Sequence, residues 1–395
     1  MSVASAKRRA LILLPEAPYP VIGGGPLRTG PILQFLSEEF DLTAIHFRLN
    51  GDPDPAELYP ARALVESHTL ELPHHSKAFL PKLSRNLGRA LRGIPPLVDR
   101  FSGFEAQIEK CLGRRHYDLV WIEHFWLAPY GHPLRKHAAQ LVLDLHNVES
   151  AYFETLEKDS PVLHRPLLRH FSNRAKALEA ELLPVFDLIL TTSQIDRERV
   201  KTGRRVEVLP NTIPLIPKQT MQKTDSIVFS GNFAYQPNQQ GLEWFREQCW
   251  PEIRKHTPKI QLRLVGKEVE YAKRLFSERE GIEFVGPVEN AVQEISRSRV
   301  AIVPLLAGSG TRLKIIEAWA AETAVVSTTI GAEGLEAIPD EHLKIADDGR
   351  LFAQKVIEMF ENEKEATRLA QAARLKYESA YTWRYSRQVL NHLGL

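Results

Sequence analysis

The side chains best suited to chemistry lie in one short stretch between two apolar runs. They are Arg312, Lys314 and Glu317, and they follow a turn that contains Gly308 and Gly310. The glycines allow a tight turn whose N–H groups approach an anion, and the helix predicted next would point its positive end at the same place. Glu317, one turn further on, has the reach to accept hydrogen bonds from ribose hydroxyls. The stretch predicts a nucleotide diphosphate site; the alternative is an ordinary strand-to-helix turn with solvated basic residues.

A second glycine cluster follows the first apolar run of the chain. Gly23, Gly24 and Gly25 are adjacent, and Arg28 lies in the helix predicted after them. Three glycines in a row leave the backbone open to a phosphate or a sugar. Arg28 stands where a dinucleotide-binding fingerprint needs its third glycine, so the pattern disfavours a dehydrogenase. A flexible loop without a ligand is the alternative interpretation.

Polar side chains end two other apolar runs. Glu123 and His124 follow one run, and Asp144, His146, Asn147 and Glu149 follow the next. Open parallel sheets bind ligands beyond their strand ends, so we expect these side chains to form one polar site. There His146 could hydrogen-bond a sugar hydroxyl or take part in proton transfer, although a histidine at a strand end is often structural.

Gly231 and Asn232 follow the first apolar run of the second half of the chain. Gly231 permits close approach to the backbone, and the Asn232 side chain offers both a donor and an acceptor. Considered without the stretch around residue 308, this pair would indicate a plain turn.

Length and composition point to a two-domain globular protein. The chain has 395 residues, more than one hydrophobic core usually supports, and a hydrophobic fraction of 43% can fill two cores. The net charge is only +2, which argues against disorder and against a surface that coats nucleic acid.

The termini and cysteines predict a cytoplasmic location. Cys111 and Cys249 are far apart and have no metal-ligand spacing, which fits a reducing compartment. The apolar run near the start stops at Pro15, too early for a signal peptide or a membrane span, and we interpret it as a first buried strand.

Short apolar runs alternate with helical segments along the chain, which predicts parallel sheets covered on both faces. Seven runs precede the polar, proline-bearing segment 210–225, and six follow it. We therefore expect two doubly wound α/β domains whose strand ends face a cleft. The predicted domains are 1–210, joined by a C-terminal helix at about 378–395, and 211–377; residues 350–393 read as helices.

One segment, 77–100, is basic and amphipathic. It carries six basic residues against the single acid Asp99, and its leucines follow helical spacing. A second basic stretch contains Arg165, Arg169, Arg174 and Lys176. Both suit contact with an anionic membrane surface, and both equally suit helices packed on their own domain with charges in water.

Four motifs together carry a family resemblance: the first glycine loop, DLHNVES, SGNFAYQPN and GSGTRLKIIEA. In this order, over nearly the whole length, the chain resembles the GT-B glycosyltransferases, specifically family 4. The resemblance implies a C-terminal domain that binds a nucleotide sugar, an N-terminal domain that binds an acceptor, and a final helix crossing back to the first domain. It also implies retention of anomeric configuration, no metal ion, and a role in bacterial surface-glycan or exopolysaccharide synthesis.

Carried over by motif, the resemblance assigns Glu317 to the nucleotide ribose. The family's first acid is replaced by Ser309, so its contacts would come from Ser309 or from the N–H groups of residues 309–311, which include Thr311. The Arg and Lys that family members often carry after the first C-domain strand are replaced by Asn232 and Asn238. Arg312 and Lys314 could restore that charge.

The resemblance therefore predicts these site residues. Catalytic roles fall to His146, Arg312 and Lys314; donor binding to Gly24, Gly25, Gly231, Asn232, Gly308, Ser309, Gly310, Thr311, Arg312, Lys314 and Glu317; and the acceptor side to Arg28, Glu123, His124, Asn147 and Glu149.

The expected enzyme is a hexosyltransferase that needs no cofactor beyond its nucleotide-sugar co-substrate. Its acceptor is a glycan, a lipid-linked sugar or a small molecule. The chain would act without nucleic acid, in the cytoplasm or at the inner face of the plasma membrane. An epimerase or phosphorylase on the same scaffold, and an inactive GT-B binding protein, remain as alternatives.

Overall fold

A computed structural model describes residues 7–21, 23–49, 58–60, 63–75, 78–276, 281–307 and 311–395. The chain divides into two compact units. One contains Met1–Pro210 together with Val389–Leu395, and the other contains Asn211–Gln388. Within the described ranges, none of the helices combines the length and apolar character needed to cross a bilayer.

The first unit is built on a seven-stranded parallel sheet in the order β3-β2-β1-β4-β5-β6-β7. The strands are β1 (Arg8–Leu14), β2 (Phe40–Leu49), β3 (Glu66–Leu72), β4 (Tyr117–Glu123), β5 (Ala138–Asp144), β6 (Leu188–Thr191) and β7 (Arg205–Val208). The helices are α1 (Gly24–Glu39), α2 (Phe79–Arg92), α3 (Pro96–Arg100), α4 (Glu105–Leu112), α5 (Gly131–Leu134), α6 (Glu149–Asp159), α7 (Arg165–Leu182) and α8 (Gln194–Arg199).

Both faces of this sheet are covered, which explains its continuous apolar strands. In β1, alternate residues enter different cores: Leu11 and Leu13 pack on one face, and Ala10, Ile12 and Leu14 on the other. The central strands therefore have no solvent face on which polar residues would be favourable.

The second unit is built on a six-stranded parallel sheet in the order β10-β9-β8-β11-β12-β13. The strands are β8 (Thr224–Ser230), β9 (Gln261–Val265), β10 (Ile282–Val285), β11 (Ser298–Val303), β12 (Ala324–Ser327) and β13 (Lys344–Ile345). The helices are α9 (Gln236–Gln248), α10 (Trp250–His256), α11 (Glu270–Leu275), α12 (Ala291–Ser296), α13 (Leu313–Ala320), α14 (Gly349–Glu361), α15 (Glu363–Ala380) and α16 (Trp383–His392).

The predicted fold class is confirmed, since the chain forms two α/β units, each with a parallel sheet. Each predicted apolar run contains one of the strands, and the region 350–393 is helical as expected. Helix α16 is shared between the units, because its residues from Val389 onward count with the first unit. Leu390, Leu393 and Leu395 lie in that unit's core.

Candidate functional site

In the second unit, the predicted donor residues surround the carboxyl ends of β8 and β11. These two strands are neighbours, although β9 and β10 follow β8 in the chain and lie on its other side. Strand order thus reverses between β8 and β11, the topological switch point at which open α/β sheets bind ligands. The loop after β8 leads into α9, and the loop after β11 leads into α13.

Lys314, in the first turn of α13, reaches across to the β8 side of this switch point. Its Nζ donates a hydrogen bond of 2.7 Å to Oδ1 of Asn238, which lies in the first turn of α9. The same Nζ lies 4.3 Å from the centre of the Phe229 ring on β8, within range of a cation–π interaction. The ammonium group is therefore held at one place by contacts from two other elements.

The backbone of Gly231 lies close to this ammonium group. A Cβ atom at residue 231 would lie 2.9 Å from Nδ2 of Asn238 and 3.2 Å from Nζ of Lys314. The backbone φ of Gly231 is +151°, which L-residues rarely adopt. Only glycine lets the β8 loop pass this close to both side chains.

Burial changes the charge balance expected here. Removal from water and the nearby Arg312 guanidinium together lower the pKa of Lys314 to about 7, against the opposing effect of Glu317. Burial likewise raises the pKa of Glu317 to about 7, against the effect of Lys314. Lys314 is therefore only partly protonated at neutral pH in the unliganded site.

The other predicted donor residues are placed as follows. Arg312 is the N-cap residue of α13 and is buried, as is Thr311. The side chain of Asn232 stabilises the turn in which it lies, because its Oδ1 accepts a hydrogen bond from the N–H of Ala234. The backbone carbonyl of Asn232 accepts from Nδ2 of Asn238. Gly308, Ser309 and Gly310 lie outside the described residues.

In the first unit, a second polar cluster lies at the carboxyl ends of β4 and β5, next to the switch point between β1 and β4. Gly24 and Gly25 form the first turn of α1. A Cβ atom at residue 25 would lie 2.7 Å from Oε1 of Glu16, a carboxyl group whose pKa is raised by burial. This glycine loop is therefore packed against an acid from the end of β1.

Arg28 and Asp144 form a buried ion pair at the centre of this cluster. Nε of Arg28 donates to Oδ2 of Asp144 at 2.8 Å, and Nη2 donates to Oδ1. Nη1 donates to the carbonyl of Leu209 at 2.7 Å. The guanidinium of Arg28 thus bonds within the unit and links α1 to β5, and its assignment to the acceptor side stays a prediction.

His146 bonds to Glu123. Its Nε2 lies 2.5 Å from Oε2 of Glu123, whose other oxygen accepts from Nε1 of Trp121 at 3.0 Å. Burial raises the pKa of Glu123 to about 7 and lowers that of His146 to about 3. The imidazole of His146 is therefore neutral, and its hydrogen bond to Glu123 fixes its orientation.

His124 and Glu149 belong to an adjoining stack. The His124 ring lies between two others, with ring centres 3.5 Å from His146 and 4.1 Å from Trp126. Nε1 of Trp126 donates to Glu149 at 3.2 Å. Burial raises the pKa of this Glu149 carboxyl to about 7. His124 thus stacks directly on His146, whereas Glu149 contacts Trp126 at the other end of the stack; Asn147, next to His146 in the sequence, is half-buried.

Glu123, Asp144 and His146 offer potential metal ligands within 4.8 Å of one another. Asp144 directs both carboxylate oxygens to the Arg28 guanidinium, and Glu123 Oε1 accepts from Trp121. The positive charge that a metal would provide is already supplied by Arg28. Within the described residues, this donor set therefore fits an internal network better than an ion.

Sequence reasoning missed the partners that hold the functional side chains. Asp144 was visible as a charged residue ending a buried strand, but its pairing with Arg28 joins residues 116 positions apart. Phe229 gave no signal, since an aromatic residue in an apolar strand is ordinary core. Trp121 was equally hidden in the apolar run of β4.

Comparison with known proteins now extends these observations. Residues 224–362 match the family model described as "Glycosyl transferases group 1". This match spans the whole second sheet, from β8 to α14. The chain is also 24% identical, over 377 residues, to an uncharacterized 44.6 kDa protein in the cps region of Klebsiella pneumoniae, covering 90% of this chain and 91% of that protein.

Two solved structures illustrate the likeness in fold. Sucrose-phosphate synthase from Thermosynechococcus elongatus has a TM-score of 0.74 at 17% identity, covering 98% of both chains. Anabaena Alr3699/HepE in complex with UDP-glucose has a TM-score of 0.63 at 15% identity, covering 97% of this chain and 98% of that chain. At these identities the likeness establishes the fold alone.

The resemblance to GT-B glycosyltransferases is thereby confirmed. The fold is GT-B, and the family match over the second unit supports glycosyltransferase as the enzyme class. Both described clusters lie at or beside switch points of their sheets, and the cluster around Lys314 lies wholly within the matched region.

Proposed function

We propose that this chain is a retaining, metal-independent glycosyltransferase that uses a nucleotide diphosphate sugar as donor. The second unit binds the donor, and the first binds a glycan, lipid-linked or small-molecule acceptor. The observation that carries the proposal is the position of Lys314, held by Asn238 and Phe229 above the glycine of the β8 loop. The UDP-glucose complex of Anabaena HepE supports this donor class.

Lys314 and Arg312 would bind the pyrophosphate and stabilise it as it leaves. Negative charge grows on the nucleoside diphosphate as the glycosidic bond breaks, and fixed cations stabilise it better than mobile water does. An anion beside Nζ raises the pKa of Lys314, so donor binding converts a partly protonated lysine into a full cation. The N–H groups at the start of α13 point their dipole at the same group.

Glu317 would accept hydrogen bonds from the ribose. It lies one turn beyond Lys314 on the same helix, and among the described residues its carboxylate accepts no hydrogen bond. A partly buried carboxylate in this state gains by meeting two hydroxyl donors. The ribose would therefore lie further along α13 than the pyrophosphate.

His146 would position the sugar or the acceptor. Its Nε2 is occupied by Glu123, which leaves Nδ1 for a substrate hydroxyl. We infer front-face transfer, in which the acceptor hydroxyl attacks from the leaving-group side and its proton passes to the departing phosphate. In this mechanism the buried acids Glu123 and Glu149 position the ring stack that contains His146, and neither is needed as a nucleophile.

The biological product is proposed to be a bacterial surface polysaccharide. The support is the Klebsiella pneumoniae relative, which comes from a cps region. We propose that no cofactor takes part beyond the nucleotide sugar.

A product assay tests the proposal. Purified protein is incubated with UDP-, GDP- and ADP-sugars, each with and without a mixture of glycan and lipid-linked acceptors. We expect nucleoside diphosphate release that depends on acceptor, and a new glycoside that keeps the donor's anomeric configuration. Conversion of the donor without acceptor would instead indicate an epimerase. Absence of turnover with every donor and acceptor would indicate an inactive binding protein.

A further inference from the structure

Helix α2 exposes a row of leucines on one side of the first unit. Leu80, Leu87 and Leu91 are all exposed, and Leu91 reaches 80%. Their spacing of seven and four residues places them on one face of the helix. Single exposed leucines are common on protein surfaces, whereas an aligned row marks a surface that binds something.

The turn between α6 and α7 exposes a second apolar group. Val162 and Leu163 are 75% and 88% exposed, and Leu167 follows in the first turn of α7. A turn that only reverses the chain would gain nothing from two large aliphatic side chains at its tip, where small or polar residues are usual.

These two apolar groups lie side by side. Nε2 of His170 on α7 donates to the carbonyl of Ala90 on α2 at 2.9 Å, and Nε of Arg174 donates to the carbonyl of Gly93 at 3.1 Å. From the first contact to the second, the chain advances by three residues at the end of α2 and by four along α7, so the two helices run in the same direction. Leu167, one turn before His170, therefore flanks the leucine row of α2.

Basic residues also lie on the two helices that carry this apolar surface. Segment 77–100 has six basic residues against Asp99, which pairs with Arg89 and Arg92. On α7, Arg169 pairs with Glu157 and Lys176 with Glu154, whereas Arg165 and Arg174 donate to backbone carbonyls. Arg165 lies at the tip, where its Nε donates to the carbonyl of Ser160 at 3.0 Å. Arg92 is largely exposed beside Leu91. The surface thus combines exposed aliphatic side chains with an excess of positive charge.

We propose that this surface, formed by Leu80, Leu87, Leu91, Val162, Leu163 and Leu167 with the surrounding basic residues, docks the first unit on an anionic lipid bilayer. Aliphatic side chains enter the boundary between headgroups and acyl chains, and arginine and lysine pair with lipid phosphates. A second copy of the chain is a poorer occupant, because two such faces would bring excess positive charge together. The proposal goes beyond the proposed reaction and does not depend on it.

Vesicle sedimentation tests the proposal without any activity assay. The full chain is mixed with vesicles of phosphatidylcholine and phosphatidylglycerol, or with vesicles of phosphatidylcholine alone, at low and high salt. We expect binding to the anionic vesicles only, weakened by salt because the surface potential is screened. Leu163→Asp and Leu91→Asp should each weaken binding at least about tenfold, since each removes an aliphatic side chain that the bilayer would bury.

A matched control is Leu375→Asp. Leu375 is 66% exposed on α15 of the second unit, far in sequence from the proposed surface, and its substitution should leave vesicle binding unchanged. Equal loss in all three variants, or no binding of the wild type to anionic vesicles, would overturn the proposal. Concentration-dependent dimers that Leu163→Asp abolishes, without vesicle binding, would assign the surface to a second copy instead.

Discussion

Nζ of Lys314 donates to Oδ1 of Asn238 at 2.7 Å, and this bond joins the first turns of the two helices that follow β8 and β11. Lys314 lies on α13, but its side chain reaches the β8 side of the switch point and ends next to Asn238. Positive charge on the β8 side, which the family resemblance predicts, can therefore be supplied from the other helix.

Removing this charge should slow the reaction without unfolding the protein. Lys314→Ala is expected to lower kcat/KM by about a hundredfold, the usual effect of losing one preorganised donor that stabilises a leaving group. Lys255→Ala, at an exposed position of α10 in the same unit, is the matched control and should keep wild-type kinetics. Equal kcat/KM in both variants would contradict a role for Lys314 in leaving-group stabilisation.

Exchanging Lys314 and Asn238 tests whether the reaction needs the lysine on α13 or only a positive charge between the two helices. In the double variant Lys314→Asn/Asn238→Lys, the ammonium group moves to α9 and the amide to α13, so the hydrogen bond and the charge are both kept. We expect the double variant to recover activity to within about tenfold of wild type, while Lys314→Asn alone stays near the level of Lys314→Ala. A double variant no better than the single one would refute charge exchange between the helices.

Donor binding should depend on pH through Lys314. The pKa of this lysine is about 7 in the unliganded site, and an anionic donor raises it, so binding takes up a proton above pH 7. Affinity for the nucleotide sugar should fall as pH rises from about 7 to about 9. Calorimetry in buffers of different ionisation enthalpy measures the proton uptake, which Lys314→Ala should abolish.

Glu123 should act through His146. Glu123→Gln keeps the size of the side chain but replaces the carboxyl group that orients His146 with an amide, so we expect kcat to fall by about tenfold or more while donor affinity is unchanged. His146→Ala should show a similar loss. The double variant should lose no more than His146→Ala alone, and an additive loss would show that Glu123 acts independently.

The Arg28–Asp144 pair should matter for stability. Arg28→Met leaves the buried Asp144 carboxylate without its cation and should lower the free energy of unfolding by about 3–5 kcal/mol. Arg28→Met/Asp144→Asn removes both charges and should recover part of that loss. Urea unfolding of the two variants measures the difference; equal destabilisation would mean that packing, not charge, dominates.

The sequence was sufficient for the sheets and insufficient for the electrostatics. Apolar runs such as that of β1 predict buried parallel strands because both faces of the sheet are covered, and that signal is local. The partial neutralisation of Lys314 depends on burial by elements distant in sequence, and the ion pair of Arg28 depends on Asp144, 116 residues away. Residue type predicted which groups gather at the strand ends, but not which of them bond to each other.

Calorimetric titration of UDP, GDP and ADP into wild type, Lys314→Ala and Lys255→Ala tests the pyrophosphate site most directly. We predict that at least one nucleotide binds wild type and Lys255→Ala with equal affinity and binds Lys314→Ala at least about tenfold more weakly. Equal affinity in all three proteins, or no binding to the wild type at millimolar nucleotide, would contradict the proposed site.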